Sequence, residues 1–382
     1  VVTFGRGKGG KFLTALDVSQ MPDWIPGRTT SLDMVSEMPP TLLFNVGNRE
    51  GLTDTDVNGE SYEGLGETWS LPVVRNVAGT TNPDQWVMFV GGGYGCEAAG
   101  TYEGQYLYVL KMEDGSVYRR FQVPDDPAAS IDYNGLVATP TVYNPHELMP
   151  TDDTDYAVRA YVGDLQGKIH KLDCSQPDPA SWTFTNGVGN EFYDVGFDQP
   201  ITAPVALFRD NMDVYVFAGT GGDARAHSTF KFIALLDENN ATVGQLVWTY
   251  DLPTGERVNA APAVGGETAF FASTIETLDL SRCASQFNST LFALGVTTGV
   301  GTFDLDTQTA GENESTDLGV GKVTGLFYRD EHLYVSRSGG LQAEGRTLIL
   351  GERDNDMDLN DGDGTPPGTV QILVRGFRMS PF

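Results

Sequence analysis

Cysteine, histidine and positive charge are what this 382-residue chain has least of. Cys96, Cys174 and Cys283 allow at most one internal disulfide, so no disulfide framework can carry the fold. Their places in successive repeats point to Cys96 with Cys174. The four histidines, His146, His170, His227 and His332, are far apart, and none has a second histidine at metal-ligand spacing. Each reads as a structural or surface side chain. No serine stands in a Gly-x-Ser-x-Gly elbow and no cysteine lies beside a histidine, so the chain is read as a non-enzyme. Only 24 basic residues oppose 52 acidic ones, a formal charge of −28 that repels nucleic acid and anionic membrane surfaces and favours cations. No apolar run approaches the roughly 20 residues that cross a bilayer. The chain begins Val1-Val2-Thr3-Phe4 with neither initiator methionine nor signal, and is expected to be a mature or trimmed product. Helical periodicity is scarce throughout.

What the chain does have is 46 glycines, 40% apolar residues and a repeat. An opening strand with a proline near its start recurs at Leu71-Pro72-Val73-Val74, Ala138-Thr139-Pro140-Thr141-Val142, Ala203-Pro204-Val205-Ala206 and Ala261-Pro262-Ala263-Val264. The prolines are 68, 64 and 58 residues apart. Each opening strand precedes an apolar strand that ends on a small residue, 86–91, 156–163, 214–219 and 268–273. A further strand then closes on a turn, 106–112, 167–173, 232–236 and 291–294. Short strands at this period, with no helical pattern between them, predict an all-β fold, a β-propeller of six or seven blades in one domain over 1–382. Strands are also expected at 1–4, 11–18, 39–46, 323–328, 332–336, 347–350 and 370–375, with loops at 145–155 and 174–189. Gly5, Gly7 and Gly10 match the spacing of a dinucleotide fingerprint, but residues 12–18 read as a strand. The helix that presents amides to a pyrophosphate is therefore not expected, and the glycines read as a turn.

Two acidic loops have the alternating oxygens that calcium requires. In the first, Asp54, Asp56 and Asn58 offer side-chain oxygens, Glu60 its backbone carbonyl, and Glu63 or Glu67 a closing carboxylate, although Leu65 stands at the twelfth position. The second contains Asp354, Asp356, Asp358, Asn360 and Asp363. Asp152, Asp153 and Asp155 form a third, sparser cluster. The same acidity also suits a purely solvated surface. Asn240, Asn288 and Asn313 have glycan-acceptor spacing.

Several stretches carry a resemblance. The run 4–18, the segment Leu65-Gly66-Glu67-Thr68-Trp69-Ser70-Leu71-Pro72 and above all Tyr161-Val162-Gly163-Asp164-Leu165-Gln166-Gly167-Lys168-Ile169-His170-Lys171-Leu172-Asp173 resemble the propeller domain of the PilY1/PilC proteins. These are the tip-associated adhesins of type IV pili. Gln199-Pro200-Ile201-Thr202, Ala218-Gly219-Thr220-Gly221 and 289–294 continue the resemblance in order. It implies a C-terminal propeller from a longer precursor, a location at the pilus tip or cell surface reached through the periplasm and outer membrane, minor pilins and a surface or host receptor as partners, and calcium as a modulator. It also implies a calcium loop just before the strand at 156, where this chain has Glu147-Leu148-Met149-Pro150-Thr151-Asp152-Asp153-Thr154-Asp155 and only Asp155 fits. The same blade pattern occurs in quinone-dependent dehydrogenases and in outer-membrane assembly scaffolds, which are the alternative readings. The dehydrogenases want adjacent cysteines, whereas Cys96 and Cys174 are 78 residues apart.

Overall fold

A computed structural model describes residues 1–18, 40–48, 61–80, 84–95, 103–126, 134–185, 189–222, 229–279, 284–301, 315–329, 332–338, 348–349 and 371–372. The chain divides into two compact units, Val1–Phe197 and Asp198–Phe382.

The described residues of unit one form three antiparallel sheets. The first is β1 (Val2–Gly5), β2 (Phe12–Asp17) and β3 (Thr41–Gly47). The second is β4 (Val73–Ala78), β5 (Asp84–Gly91), β6 (Tyr106–Lys111) and β7 (Val117–Gln122), paired in chain order. The third is β8 (Thr141–Tyr143), β9 (Arg159–Gly163), β10 (Lys168–Asp173) and β11 (Thr183–Phe184), with β12 (Tyr193–Asp194) also on β10. A four-residue helix, α1 (Pro145–Leu148), follows β8.

Unit two repeats the plan. One sheet is β13 (Ala206–Asp210), β14 (Asp213–Gly219), β15 (Lys231–Asp237) and β16 (Gln245–Asp251). The next is β17 (Arg257–Val258), β18 (Ala263–Gly265), β19 (Thr268–Asp279), β20 (Ala284–Gly295) and β21 (Ser315–Val320), with β17 and β18 both on β19. The last is β22 (Lys322–Arg329), β23 (His332–Ser338), β24 (Leu348–Ile349) and β25 (Gln371–Ile372). Serial antiparallel sheets with almost no helix are the expected blade pattern.

Strand alternation explains how the sheets stack, because successive side chains point to opposite faces. In the second sheet Met88, Val90, Tyr108 and Leu110 pack with Leu13, Ala15 and Phe44 of the first. From the other face Val87, Phe89, Leu107 and Val109 pack with Ala160, Val162 and Leu172 of the third. The fifth sheet is used likewise. Ala269, Phe271, Phe292 and Leu294 meet Phe217, Phe232 and Ala234 of the fourth, while Phe270, Ala272, Leu291 and Ala293 meet Val323, Leu326, Leu333 and Val335 of the sixth. A strand buried on both faces must be apolar at consecutive positions, which is why Trp86-Val87-Met88-Phe89-Val90 and Thr268-Ala269-Phe270-Phe271-Ala272 stand out as runs.

Three details depart from expectation, the first being α1 within the expected loop 145–155. β19 and β20 are 12 residues each, because the ribbon continues past Ser273 through Thr274-Ile275-Glu276-Thr277. The segment 174–189, read as a loop, contains a 3-10 turn over Pro179–Ser181 and β11. The turn at Gly7 and Gly10, with φ of 53° and 148°, runs directly into β2, as the turn reading requires.

Phe271 sits within the aromatic core shared by the fourth and fifth sheets. Its ring stacks on Phe232 at 3.8 Å and on Phe292 at 4.7 Å. Phe271→Ala is expected to cost about 3–5 kcal/mol in a chemical denaturation experiment.

Candidate functional site

The segment that carries the strongest resemblance folds as the turn between β9 and β10, and its polar side chains are buried. Asp164 and His170 are 0% exposed, Gln166 1% and Lys168 3%. Buried polar groups need partners, and here each is supplied. Asp164 Oδ1 accepts from the backbone N–H groups of Gln166 at 3.0 Å and Lys168 at 2.8 Å, while Gly167 takes a φ of 88° to complete the turn. Asp164 Oδ2 accepts from Asn134 Nδ2 at 2.9 Å and lies 2.9 Å from His170 Nε2. His170 Nδ1 is 2.8 Å from the Thr185 carbonyl, which can only accept, so that nitrogen carries a proton. The ring also lies against Phe184, with centroids 5.7 Å apart. His170 therefore joins the β9–β10 turn to the stretch following β11.

Lys168 and Asp126 form a second buried link, with Nζ to Oδ2 at 2.6 Å. Gln166 Oε1 accepts from the Asp126 N–H at 2.8 Å, and Leu165 N–H donates to the Gly135 carbonyl at 3.2 Å. The turn thus grips 126 on one side and 134–135 on the other. Burial alone pulls the Lys168 ammonium down. The hydrogen bond to Asp126 and the charges of Glu191, Asp126 and Asp194 outweigh it, so the net direction is upward.

The fourth sheet repeats the device with different chemistry. Thr220 follows Gly219 at the end of β14 as Asp164 follows Gly163 at the end of β9. Its N–H donates to the Lys231 carbonyl at 2.9 Å, as Asp164 N–H does to the Lys168 carbonyl at 2.9 Å. Its hydroxyl accepts from Lys231 N–H at 2.9 Å and donates to Gln199 Oε1 at 2.6 Å. A side-chain oxygen just past the glycine thus caps the start of the next strand in both sheets. Gly-Asp-Leu-Gln-Gly is one form of a strand-joining element. Because His170 and Asp164 are sealed from solvent, their arrangement positions backbone.

The expected metal residues fall as follows. Asp54, Asp56, Asn58, Glu60, Asp354, Asp356, Asp358, Asn360 and Asp363 lie outside the described residues. Glu63 is exposed and its carbonyl accepts from Asn48 Nδ2 at 2.9 Å, while Glu67 accepts from the Trp69 indole at 3.1 Å. Among the described residues no three acidic, histidine or cysteine side chains are grouped to hold a metal. His146 is part-buried beside the Asp152 carbonyl, and His227 lies outside the described residues. Cys174 corrects the disulfide expectation. Its thiol is free, wholly buried in the core shared by the second and third sheets, and 3.6 Å from the Ala157 carbonyl that accepts from it. Burial pushes that thiol up. Sequence reading missed Asp126 and Asn134, which sit 42 and 30 residues from their partners.

No protein-family model matches the chain. A type IV pilus biogenesis factor PilY1 homolog of Xylella fastidiosa is 23% identical over 294 residues, covering 73% of this chain. The C-terminal domain of Pseudomonas aeruginosa PilY1 aligns over 87% of this chain and 78% of its own, with a TM-score of 0.59 and 17% identity. The chain is similar to PilY1 in sequence and to its C-terminal domain in fold. That PilY1 domain is a β-propeller, and the sheet plan described above is of this class. The chain spans 16% of the length of the Xylella relative. A quinohemoprotein alcohol dehydrogenase of Comamonas testosteroni covers 61% of the chain with a TM-score of 0.29 and 11% identity, too distant to carry an argument.

Removing one member of a buried pair strands the other charge. Lys168→Met is expected to cost about 3–5 kcal/mol at pH 7, and the further change Asp126→Leu to return much of it. The sign of the pH dependence follows from the upward direction for Lys168: its contribution is complete at neutral pH and is lost as pH rises past the ordinary lysine range. Denaturation curves of wild type and Lys168→Met should therefore converge at strongly alkaline pH.

Proposed function

We propose that these residues are the propeller domain of a tip-associated adhesin and biogenesis factor of type IV pili. The similarity to a PilY1 homolog over 294 residues carries this reading. In it, one set of loops engages minor pilins and another a surface or host receptor, outside the cell. Rigid sheets with variable loops suit such work, since loops can change without unsettling the strands beneath them. Exposed Trp69 and Leu71, at 48% and 66%, give the first unit apolar surface for a partner. The domain binds rather than catalyses; the sealing of His170 and Asp164, the pair most like an acid–base dyad, favours this.

Calcium modulates the domain in this reading through the loops at 54–63 and 354–363, whose alternating oxygens match its preference. A cation bound only by the folded state raises the melting temperature. Calcium should raise that of this chain, and Asp56→Ala or Asp358→Ala should diminish the rise; identical melting curves in calcium and in chelator overturn the calcium proposal.

The pilus role is tested by complementation in the source bacterium. A full-length gene lacking the codons for 1–382 should fail to restore surface pili and attachment where the intact gene succeeds. Normal piliation and attachment from the truncated gene overturn the reading.

A further inference from the structure

We infer that the loop preceding β9, residues 144–155, is locked by Arg75 and local hydrogen bonds and has no use for a cation. Its acidity and the resemblance both point to calcium here, so the fit can be judged on the oxygens themselves. Calcium takes six to eight of them, largely from carboxylates and carbonyls.

Several of those oxygens are already engaged, and Asp153 is exposed. Asn144 Oδ1 caps α1 by accepting from His146 N–H at 3.0 Å, and Asn144 Nδ2 donates across the loop to Asp155 Oδ1 at 3.1 Å. Asp152 Oδ1 accepts from Thr154 N–H at 3.0 Å. The Asp152 carbonyl accepts from His146 Nδ1 at 2.8 Å, and the Thr154 carbonyl from His146 N–H at 3.2 Å. Met149 N–H donates to the Pro145 carbonyl at 2.9 Å, and Asp152 N–H to the Met149 carbonyl at 2.9 Å.

The positive charge comes from the neighbouring sheet. Arg75 of β4 donates from Nη2 to Glu147 Oε2 at 3.2 Å, and its Nε lies 3.2 Å from Oε1. Next to it Asn76 Nδ2 donates to the Asp155 carbonyl at 2.9 Å, and the Asn76 carbonyl accepts from Ala157 N–H at 2.9 Å. β4 therefore holds the loop at both ends, through Glu147 and through 155–157, while a fixed guanidinium disfavours a second cation beside Glu147. The pair is half-exposed, so its effect is modest and local.

Hydrogen–deuterium exchange on this chain, read in peptides spanning 144–158, tests the lock. Relative to peptides from the other sheets, protection of these peptides is expected to be the same in millimolar calcium and in chelator. Arg75→Gln should speed their exchange by about twofold to fivefold, the range of a partly exposed ion pair. The swap Arg75→Glu with Glu147→Arg should return it towards wild type. Wild-type protection that rises on adding calcium in these peptides beyond any rise in the other sheets, or exchange unaltered by Arg75→Gln, overturns the inference. Neither result bears on the pilus reading or on the loops at 54–63 and 354–363, so the proposals fail separately.

Discussion

Burial of one sheet against the next, on both of its faces, is the constraint from which the rest of the structure follows. The second and fifth sheets each sit between two others and contribute separate residue sets to the two interfaces. A middle strand in such a stack must be apolar at every position, its ends must turn sharply, and its polar backbone must be capped where the strand stops. Val87-Met88-Phe89-Val90-Gly91 satisfies the first two demands, and the links past Gly163 and Gly219 satisfy the third. Repetition of one blade-sized unit lets a long chain build an extensive core from nearest-neighbour contacts.

That constraint also decides how much was legible in the sequence. The second and third strands of the second and fourth sheets are largely apolar runs, and β5, β14 and β15 fall where the repeat places them. The fourth strands β7 and β16 were not legible. β7 reads Val117-Tyr118-Arg119-Arg120-Phe121-Gln122, and the two arginines interrupt any apolar alternation. Their place is explained by tertiary neighbours, since Arg119 lies over Phe121, and Arg120 lies over Tyr106 and donates to the Ser61 carbonyl at 2.9 Å. The distal half of β19 was missed for a related reason: Thr277 and Glu276 are exposed, so no burial pattern marks them as strand.

The polar cluster was legible as a motif but not as a mechanism. Gly-Asp-Leu-Gln-Gly identified the family resemblance, and the structural reading of His170 held, with the ring wholly buried. Its partners could not be found by spacing, because the Asp126–Lys168 and Asn134–Asp164 contacts depend on how sheets two and three dock. The loop at 144–155 teaches the converse. Its aspartates look like ligands when counted along the chain, yet Asp155 Oδ1 accepts from Asn144, Asp152 accepts from Thr154 and His146, and Glu147 is paired with Arg75. Charge density alone does not make a cation site.

The role proposed for these sheets is that of a binding platform at the end of a pilus. Immunogold electron microscopy of piliated cells, using antibody raised against residues 1–382, tests it most directly. The account predicts gold particles at pilus tips. Label confined to the periplasm, with bare tips, would contradict it and leave the likeness to PilY1 as a likeness of fold.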